Sequence, residues 1–297
     1  MSRNTIFVTG STGLIGERLV NALLAQNEKV YLVEFEGRKR LKSFEGVDYI
    51  NLKTFDKSKL QFSPEHSFFV HLAANANLKI CADHPRAAIE SNVLLTLDVL
   101  DFCRIMGIKN FIFPSTGLLY GDQHTEARTE ESPLLTNNLY ASTKLTGEIL
   151  LRDHVLQNNS KGVVLRLGNV FGKKTMTSSV FSDIIQQIEA KADKVEVLNL
   201  QPKRDFIYVK DVVSAIGQII HQGLKKPFDI FNLASGESTA IKDLAQKICA
   251  MKNYNAEIVG ANAGDVFSNI AIDISKIKQE YNWSPQYPLD RALNEIL

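Results

Sequence analysis

The sequence predicts an α/β fold, a doubly wound parallel sheet with a smaller C-terminal lobe woven into it. Short apolar runs rich in Val, Ile and Phe alternate with longer segments whose apolar residues recur at helical spacing. The chain has 297 residues, 44% of them hydrophobic, enough for one large α/β unit or two small domains with a substantial core. The alternation is regular to about residue 168 and irregular beyond it, and no Gly/Ser-rich linker separates the halves.

In chain order, strands are expected at 5–10, 29–34, 47–52, 68–74, 109–115 and 162–168, and helices at 13–26, 85–107 and 137–157. Pro85 suits the first turn of its helix and Gly107 the end. Alternating strands and helices imply βαβ crossovers and a sheet covered on both faces. Further on, helices are expected at 179–190, 210–222, 239–251 and 287–296, and short strands near 195–198, 205–209 and 228–233.

A net charge of +1 gives no argument for nucleic acid or a membrane surface. No apolar run approaches the ~20 residues of a membrane span. The three cysteines, Cys81, Cys103 and Cys249, form no CxxC pair and read as buried thiols of a reducing compartment. The six histidines form no ligand cluster, so no metal is expected. The N-terminus runs directly into a strand, with no expected signal peptide, and the expected location is the cytoplasm.

Two stretches carry chemistry. "VTGSTGLIG" places Gly10, Gly13 and Gly16 between the first strand and the first helix. Glycines there permit a tight turn, close helix–strand packing, and the approach of a pyrophosphate to backbone N–H groups. The spacing is GxxGxxG rather than GxGxxG. The second strand ends in Glu34, whose carboxylate can accept hydrogen bonds from adenosine ribose hydroxyls and would repel a 2′-phosphate. NAD is therefore expected over NADP, with the basic run at 38–40 as the counter-argument. In "NLYASTK", Tyr140 and Lys144 share a helix face. A phenol titrates near ~10 and acts as a base near neutrality only if its anion is stabilised, as a fixed ammonium can do.

With these motifs in order, the chain resembles the short-chain dehydrogenase/reductase superfamily. The segments "HLAA" (71–74), "SNV" (91–93), "FIFPSTGLLYG" (111–121), "RLGNVFG" (166–172), "RDFIYVKDVV" (204–213), "FNLASGESTAIKDLA" (231–245) and "DISKIKQEYNWSP" (273–285) narrow this to its extended branch, the NAD-dependent epimerase/dehydratase family acting on nucleotide sugars. The resemblance covers nearly the whole chain. It implies a Rossmann domain over 1–168, with segments near 205–235 returning to it, and a substrate lobe from 169–204 and 236–297.

The same resemblance implies site residues. Tyr140 is the expected acid/base, Lys144 its partner and a holder of the nicotinamide ribose. Thr116 is the expected hydroxyl on the reacting oxygen, with Ser115 the near alternative. NAD would be met by Gly10, Thr12, Gly13, Leu14, Ile15, Gly16, Glu34, Leu72, Ala73, Ala74 and Asn92 as well as Tyr140 and Lys144. Asn169 would touch the substrate, and Arg204 would grip the nucleotide diphosphate. The helices at 85–107 and 137–157 resemble those of a homodimer interface; the alternative is that their apolar faces only cover the sheet.

The chain also departs from the family pattern. The 4,6-dehydratases carry Asp-Glu after the threonine, where this chain has Gly117 and Leu118, so elimination of a hydroxyl is not expected. The second diphosphate arginine of "RxGD" is replaced in "NAGD" by Asn262, with Lys173 and Lys174 as candidate substitutes. The acidic residue near the adenine is replaced by Lys53 or Thr54. The leading expectation is an NAD-dependent epimerase of a UDP-, dTDP- or GDP-linked sugar, acting at C4 through a keto intermediate. The runner-up is an NAD(P)H-dependent 4-ketoreductase of a 4-keto-6-deoxy sugar, and a non-catalytic dinucleotide sensor comes third.

Overall fold

The computed structural model describes residues 3–35, 43–173, 179–262 and 268–297. The basic run at 38–40, Lys174 and residues 263–265 of "NAGD" lie outside the described residues.

The first half runs β1 (Thr5–Thr9), α1 (Leu14–Ala25), β2 (Lys29–Glu34), β3 (Asp48–Asn51), β4 (Ser67–His71), α2 (Leu78–Asp83), α3 (Pro85–Ile89), a π-helical turn at Glu90–Leu94, α4 (Leu95–Met106), β5 (Asn110–Thr116), α5 (Leu139–Asn158) and β6 (Lys161–Leu167). The second half runs β7 (Asn169–Phe171), α6 (Val180–Glu189), β8 (Lys194–Val197), β9 (Lys203–Tyr208), α7 (Val209–Gln222), β10 (Phe228–Leu233), β11 (Ser238–Ala240), α8 (Ile241–Met251), β12 (Glu257–Gly260), α9 (Ser275–Tyr281) and α10 (Leu289–Ile296).

The seven-stranded sheet has the order β10-β6-β5-β4-β1-β2-β3. β1 pairs in parallel with β2 and β4, β2 with β3, and β4 with β5. Every residue of β1, β4 and β5 is buried, as expected for strands covered on both faces. A ring cluster fills one face, with Phe7 stacked on Tyr31 at 5.0 Å and Phe102 edge-on to Phe7 at 6.2 Å. The strand order reverses between β1 and β4. In open α/β sheets, ligands bind beyond the carboxyl ends of the strands at such a point.

The helix expected over 85–107 is interrupted. Pro85 opens α3 and Gly107, at φ +79°, closes α4, but the π turn lies between them. A π turn inserts an i→i+5 step and so rotates the residues of α4 about the helix axis relative to those of α3.

The chain divides into two units, the first of Met1–Leu119, Leu135–Arg166 and Val213–Phe231, the second of Tyr120–Leu134, Leu167–Val212 and Asn232–Leu297. In the second unit, β11, β9 and β7 form a three-stranded sheet, and β12 pairs in parallel with β8. Phe171, Phe181 and Phe206 pack together there, with Phe171 and Phe181 stacked at 4.8 Å. Asn232 is that unit's buried polar hub. It accepts from the Tyr120 hydroxyl at 2.7 Å, donates through its amide to the Arg128 and Asp273 carbonyls, and its backbone N–H reaches Glu130. Among the described residues, no helix is long and apolar enough to cross a membrane.

Candidate active site

The glycine turn is dictated sterically. Gly10 sits at φ +69°, and a Cβ there would stand 2.7 Å from the Ala73 nitrogen and 2.8 Å from the Leu72 carbonyl carbon. A Cβ on Gly16 would stand 2.1 Å from the Gly10 oxygen. These two glycines let the ends of β1 and β4 and the start of α1 close together. Gly13 is different. It is exposed, has an ordinary φ of −74°, and caps α1 with no side-chain hydrogen bond. The first N–H groups of a helix have no intrahelical acceptor, and with no capping side chain they offer an anion a place to bind. Beside the end of β2, a cavity of about 330 Å³ is lined by Phe35, Leu52, Lys53, Ser91, Leu94 and Leu95. Glu34 is the last residue of that strand.

Tyr140 and Lys144 lie one turn apart on α5, whose start is capped by Asn138 accepting from the Ala141 N–H at 2.8 Å. Lys144 is buried, and its Nζ rests 4.0 Å above the Phe113 ring of β5. The ring reaches that position because residue 147 is glycine: a Cβ there would meet the Phe113 ring at 2.4 Å. Burial pulls the Lys144 ammonium down to about 7, against the opposing pull of Glu148. Burial pushes the Tyr140 phenol up, and the neighbouring Cys81 thiol adds to the rise. Burial thus opposes the phenolate that Lys144 and the cationic nicotinamide are expected to favour.

At the carboxyl end of β5, the Leu118 N–H donates to Thr116 Oγ1 at 3.2 Å, which leaves the hydroxyl hydrogen of Thr116 for another acceptor. The Ser115 hydroxyl is buried with no hydrogen-bond partner among the described residues.

A buried chain of hydrogen bonds links the glycine turn to α5. The Ala73 N–H donates to Thr9 Oγ1 at 3.2 Å, and Thr9 Oγ1 lies 2.7 Å from His71 Nδ1. His71 Nε2 lies 3.1 Å from Thr96 Oγ1, which donates to the Asn92 carbonyl at 2.7 Å. Since the Thr96 hydrogen is committed, His71 carries its proton on Nε2 and accepts from Thr9. Burial and the Lys144 charge push the imidazole down to about 3, so it is neutral near pH 7. Asn92, in the π turn, donates to the Asn75 carbonyl and to Thr143 Oγ1, both at 3.0 Å, and accepts from the Asn75 N–H at 2.7 Å and from Ser91 at 3.0 Å. Its amide is thus fully engaged within the protein. Thr143 in turn donates to the Tyr140 carbonyl at 2.7 Å.

In the second unit, Asn169 is exposed at the start of β7 and pairs in register with Phe206 of β9. Arg204 lies two residues before Phe206, so both side chains belong to one face of that sheet. The Arg204 guanidinium is half-buried, donates to the Lys203 and Ser268 carbonyls at 2.8 and 3.3 Å, and is shifted down by burial against the charge of Asp122.

The first unit thus holds the glycine turn, Glu34, residues 72–74, Asn92, Thr116, Tyr140 and Lys144; the second holds Asn169 and Arg204. Sequence reasoning missed the groups around Lys144: Phe113, Gly147, His71, Glu148 and Arg166. Two had a visible signal. Glu148 comes after Lys144 by the same four-residue step that singled out Tyr140, and Arg166 is a lone charge in the apolar run "VVLRL".

The profile of the NAD dependent epimerase/dehydratase family matches residues 6–234. This chain belongs to that family. It is 28% identical over 307 residues to UDP-glucuronic acid decarboxylase 6 of Arabidopsis thaliana, covering 98% of this chain and 87% of that one. Two solved structures share its fold. The UDP-glucose 4-epimerase of Thermotoga maritima with UDP-glucose gives a TM-score of 0.83 at 24% identity, over 97% of this chain and 96% of that one. The UDP-glucose 4-epimerase of Thermus thermophilus in complex with NAD gives 0.81 at 24% identity, with the same coverage. Membership makes the chain an NAD-dependent enzyme of the extended short-chain dehydrogenase/reductase type.

Proposed function

We propose that this family member is a nucleotide-sugar epimerase that inverts C4 through a transient keto intermediate. The observation that carries the reading is the pairing of Tyr140 and Lys144 on α5 with Thr116 at the end of β5, with no acid directly after that threonine. Gly117 and Leu118 offer no proton to a departing hydroxyl, which favours a reaction that keeps every oxygen on the sugar.

The chain fits NAD. The crowded Gly10 and Gly16, the uncapped start of α1 at Gly13 and Glu34 at the end of β2 suit a pyrophosphate and, beyond it, an unphosphorylated ribose. Thr12, Leu14 and Ile15 belong to the same turn, Leu72, Ala73 and Ala74 border it, and the cavity beside Phe35 and Leu52 suits the adenine. When bound, NAD supplies the acceptor and donor of a hydride and, in its oxidised form, a positive charge near Tyr140. Tyr140 takes the proton of the C4 hydroxyl as the ketone forms and returns it to the same oxygen when the ketone is reduced on its opposite face, which is what inverts the carbon. Lys144 holds the ribose and biases the phenol toward its anion; Thr116 donates to the sugar oxygen. Asn92 acts by holding Asn75 and Thr143 in place. In the second unit, Arg204 suits the diphosphate, because a guanidinium is always charged and donates two hydrogen bonds at once, and Asn169 suits a sugar or phosphate contact. Exposed Leu94, Leu97 and Ile105 near α4 and Ile149 and Leu156 on α5 support a homodimer through these helices.

The test is incubation with UDP-glucose, UDP-galactose and their N-acetyl, dTDP- and GDP-linked counterparts, read by proton NMR. Interconversion of C4 epimers without net consumption of NAD supports the reading. Stoichiometric oxidation of NAD(P)H with a 4-keto sugar would replace it with the ketoreductase.

A further inference from the structure

Lys144 depends on surroundings that the epimerase reading leaves unexplained. Among the described residues its ammonium makes no hydrogen bond, and it rests on the face of Phe113. Four residues further along α5, Glu148 is equally buried, with 4% of its side chain exposed. Arg166 of β6, also 4% exposed, grips it with two nitrogens: Nη2 donates to Oε2 at 2.8 Å, and Nε donates to Oε1 at 3.1 Å. A buried ion pair is expensive to desolvate and is often no more stabilising than an apolar replacement, so its presence asks for a reason other than stability.

We propose that Glu148, clamped by Arg166, is a positioning residue that keeps Lys144 charged inside the sheet–helix interface, so that the lysine can serve Tyr140. The proposal rests on the catalytic reading of Lys144. The geometry carries it. Residues four apart on a helix are neighbours, so Glu148 is a carboxylate within electrostatic reach of Lys144. The other groups packed around the lysine cannot do the same. His71 on β4 is neutral and locked between Thr9 and Thr96, Phe113 on β5 has no charge, Tyr140 is a neutral phenol, and Cys81 on α2 bears on the tyrosine. The two-toothed grip of Arg166 prevents the Glu148 carboxylate from swinging toward the lysine, which would make Lys144 part of a closed ion pair and useless to Tyr140. Glu148 also acts on Lys144 in the expected direction, against the effect of burial.

The experiment tracks the titration of Lys144 directly, by NMR of protein carrying 13C- and 15N-labelled lysine, with Lys144→Met to assign the signal and with neither cofactor nor substrate added. In Glu148→Gln, which keeps the shape, Lys144 should titrate at least ~1 pH unit below wild type, the scale of losing one nearby opposite charge. Glu148→Asp should restore most of the difference. Should Glu148→Gln fail to fold because Arg166 is left unpaired, Glu148→Gln/Arg166→Met removes the carboxylate without stranding the guanidinium, and the same downward shift is expected. Unchanged titration of Lys144 in the folded variant would overturn the proposal and leave the pair as a structural brace. A shifted titration supports it even in an enzyme that leaves UDP-sugars untouched, where the failure would lie with the substrate reading. On an active enzyme, the basic limb of the kcat profile in Glu148→Gln should move down with the lysine.

Discussion

Gly10→Ala and Gly13→Ala separate the structural from the functional content of the glycine turn. At Gly10, a left-handed backbone costs a residue with a Cβ roughly 1–2 kcal/mol. The added methyl also meets two backbone atoms, at 2.7 and 2.8 Å, that cannot swing aside, and such overpacking costs about 1–3 kcal/mol. The sum of about 2–5 kcal/mol predicts a melting temperature lower by roughly 4–20 °C. At Gly13, the nearest atom to an added methyl is the Gly10 oxygen at 3.3 Å, and φ is ordinary. Loss of a good N-cap residue should cost no more than about 1 kcal/mol there. The methyl would, however, stand over the first N–H groups of α1. Losing one hydrogen bond to a charged phosphate costs about 1.5–3 kcal/mol, or roughly 10–100-fold in NAD affinity. Thermal melts by circular dichroism and calorimetric titration with NAD read the two effects independently. NAD affinity equal to wild type in Gly13→Ala would refute the placement of the pyrophosphate at α1, and an unchanged melting temperature in Gly10→Ala would refute the packing argument.

Other expectations rest on single named groups. Tyr140→Phe should lower turnover at least ~10²-fold, the scale of a general acid/base contribution, while NAD affinity and the melting curve hold. Arg204→Ala should weaken binding of UDP-sugars by up to ~2–5 kcal/mol and leave NAD binding intact, as calorimetry of each ligand would show. Glu34 should make NAD bind more tightly than NADP, and equal affinities in parallel titrations would mean that the run at 38–40 prevails. His71 has a folded pKa of about 3, below its ordinary 6.5, so the unfolded chain binds the extra proton between those values. Its stabilising contribution is complete above about pH 6.5 and is lost as pH falls. His71→Gln should therefore flatten the acid side of a stability–pH curve relative to wild type, which denaturant melts across that range would reveal. Asp205, whose buried carboxyl is raised to about 6, works in the opposite direction but cancels in the comparison.

The elements legible in the sequence were those whose burial leaves a long pattern. β1 and β4 each carry three consecutive apolar residues at their centre because both faces are covered, and α5 declares itself through length and the Asn138 cap. α2, β7, β11, β12 and α9 escaped because three to seven residues repeat a strand or helix period too few times to stand out. The π turn escaped because "ESNVL" interrupts no helical spacing in the sequence around it; the wider turn is favoured by the three tertiary hydrogen bonds of the Asn92 amide, to Asn75 and Thr143. Within the site, motif residues could be named from spacing, whereas the environment of Lys144 could not. Phe113 and Gly147 are 34 positions apart, and only the packing of α5 on β5 shows that one needs the other. The burial of the tyrosine was illegible for a related reason: spacing reveals a neighbouring charge but not the desolvation that opposes it.

The interleaving of the two units has a consequence for biosynthesis. β6 ends at Leu167, and its outer neighbour in the sheet, β10, begins only at Phe228. Translation at ~5–20 residues per second separates the two by several seconds. Throughout that interval a buried strand of the finished protein is an open edge, with its hydrogen-bonding groups exposed to any other extended chain. The nascent protein therefore passes through an aggregation-sensitive stage that the mature one does not have. A fragment that stops before β10 would be held in that stage permanently, so neither unit can be obtained as a simple N- or C-terminal truncation.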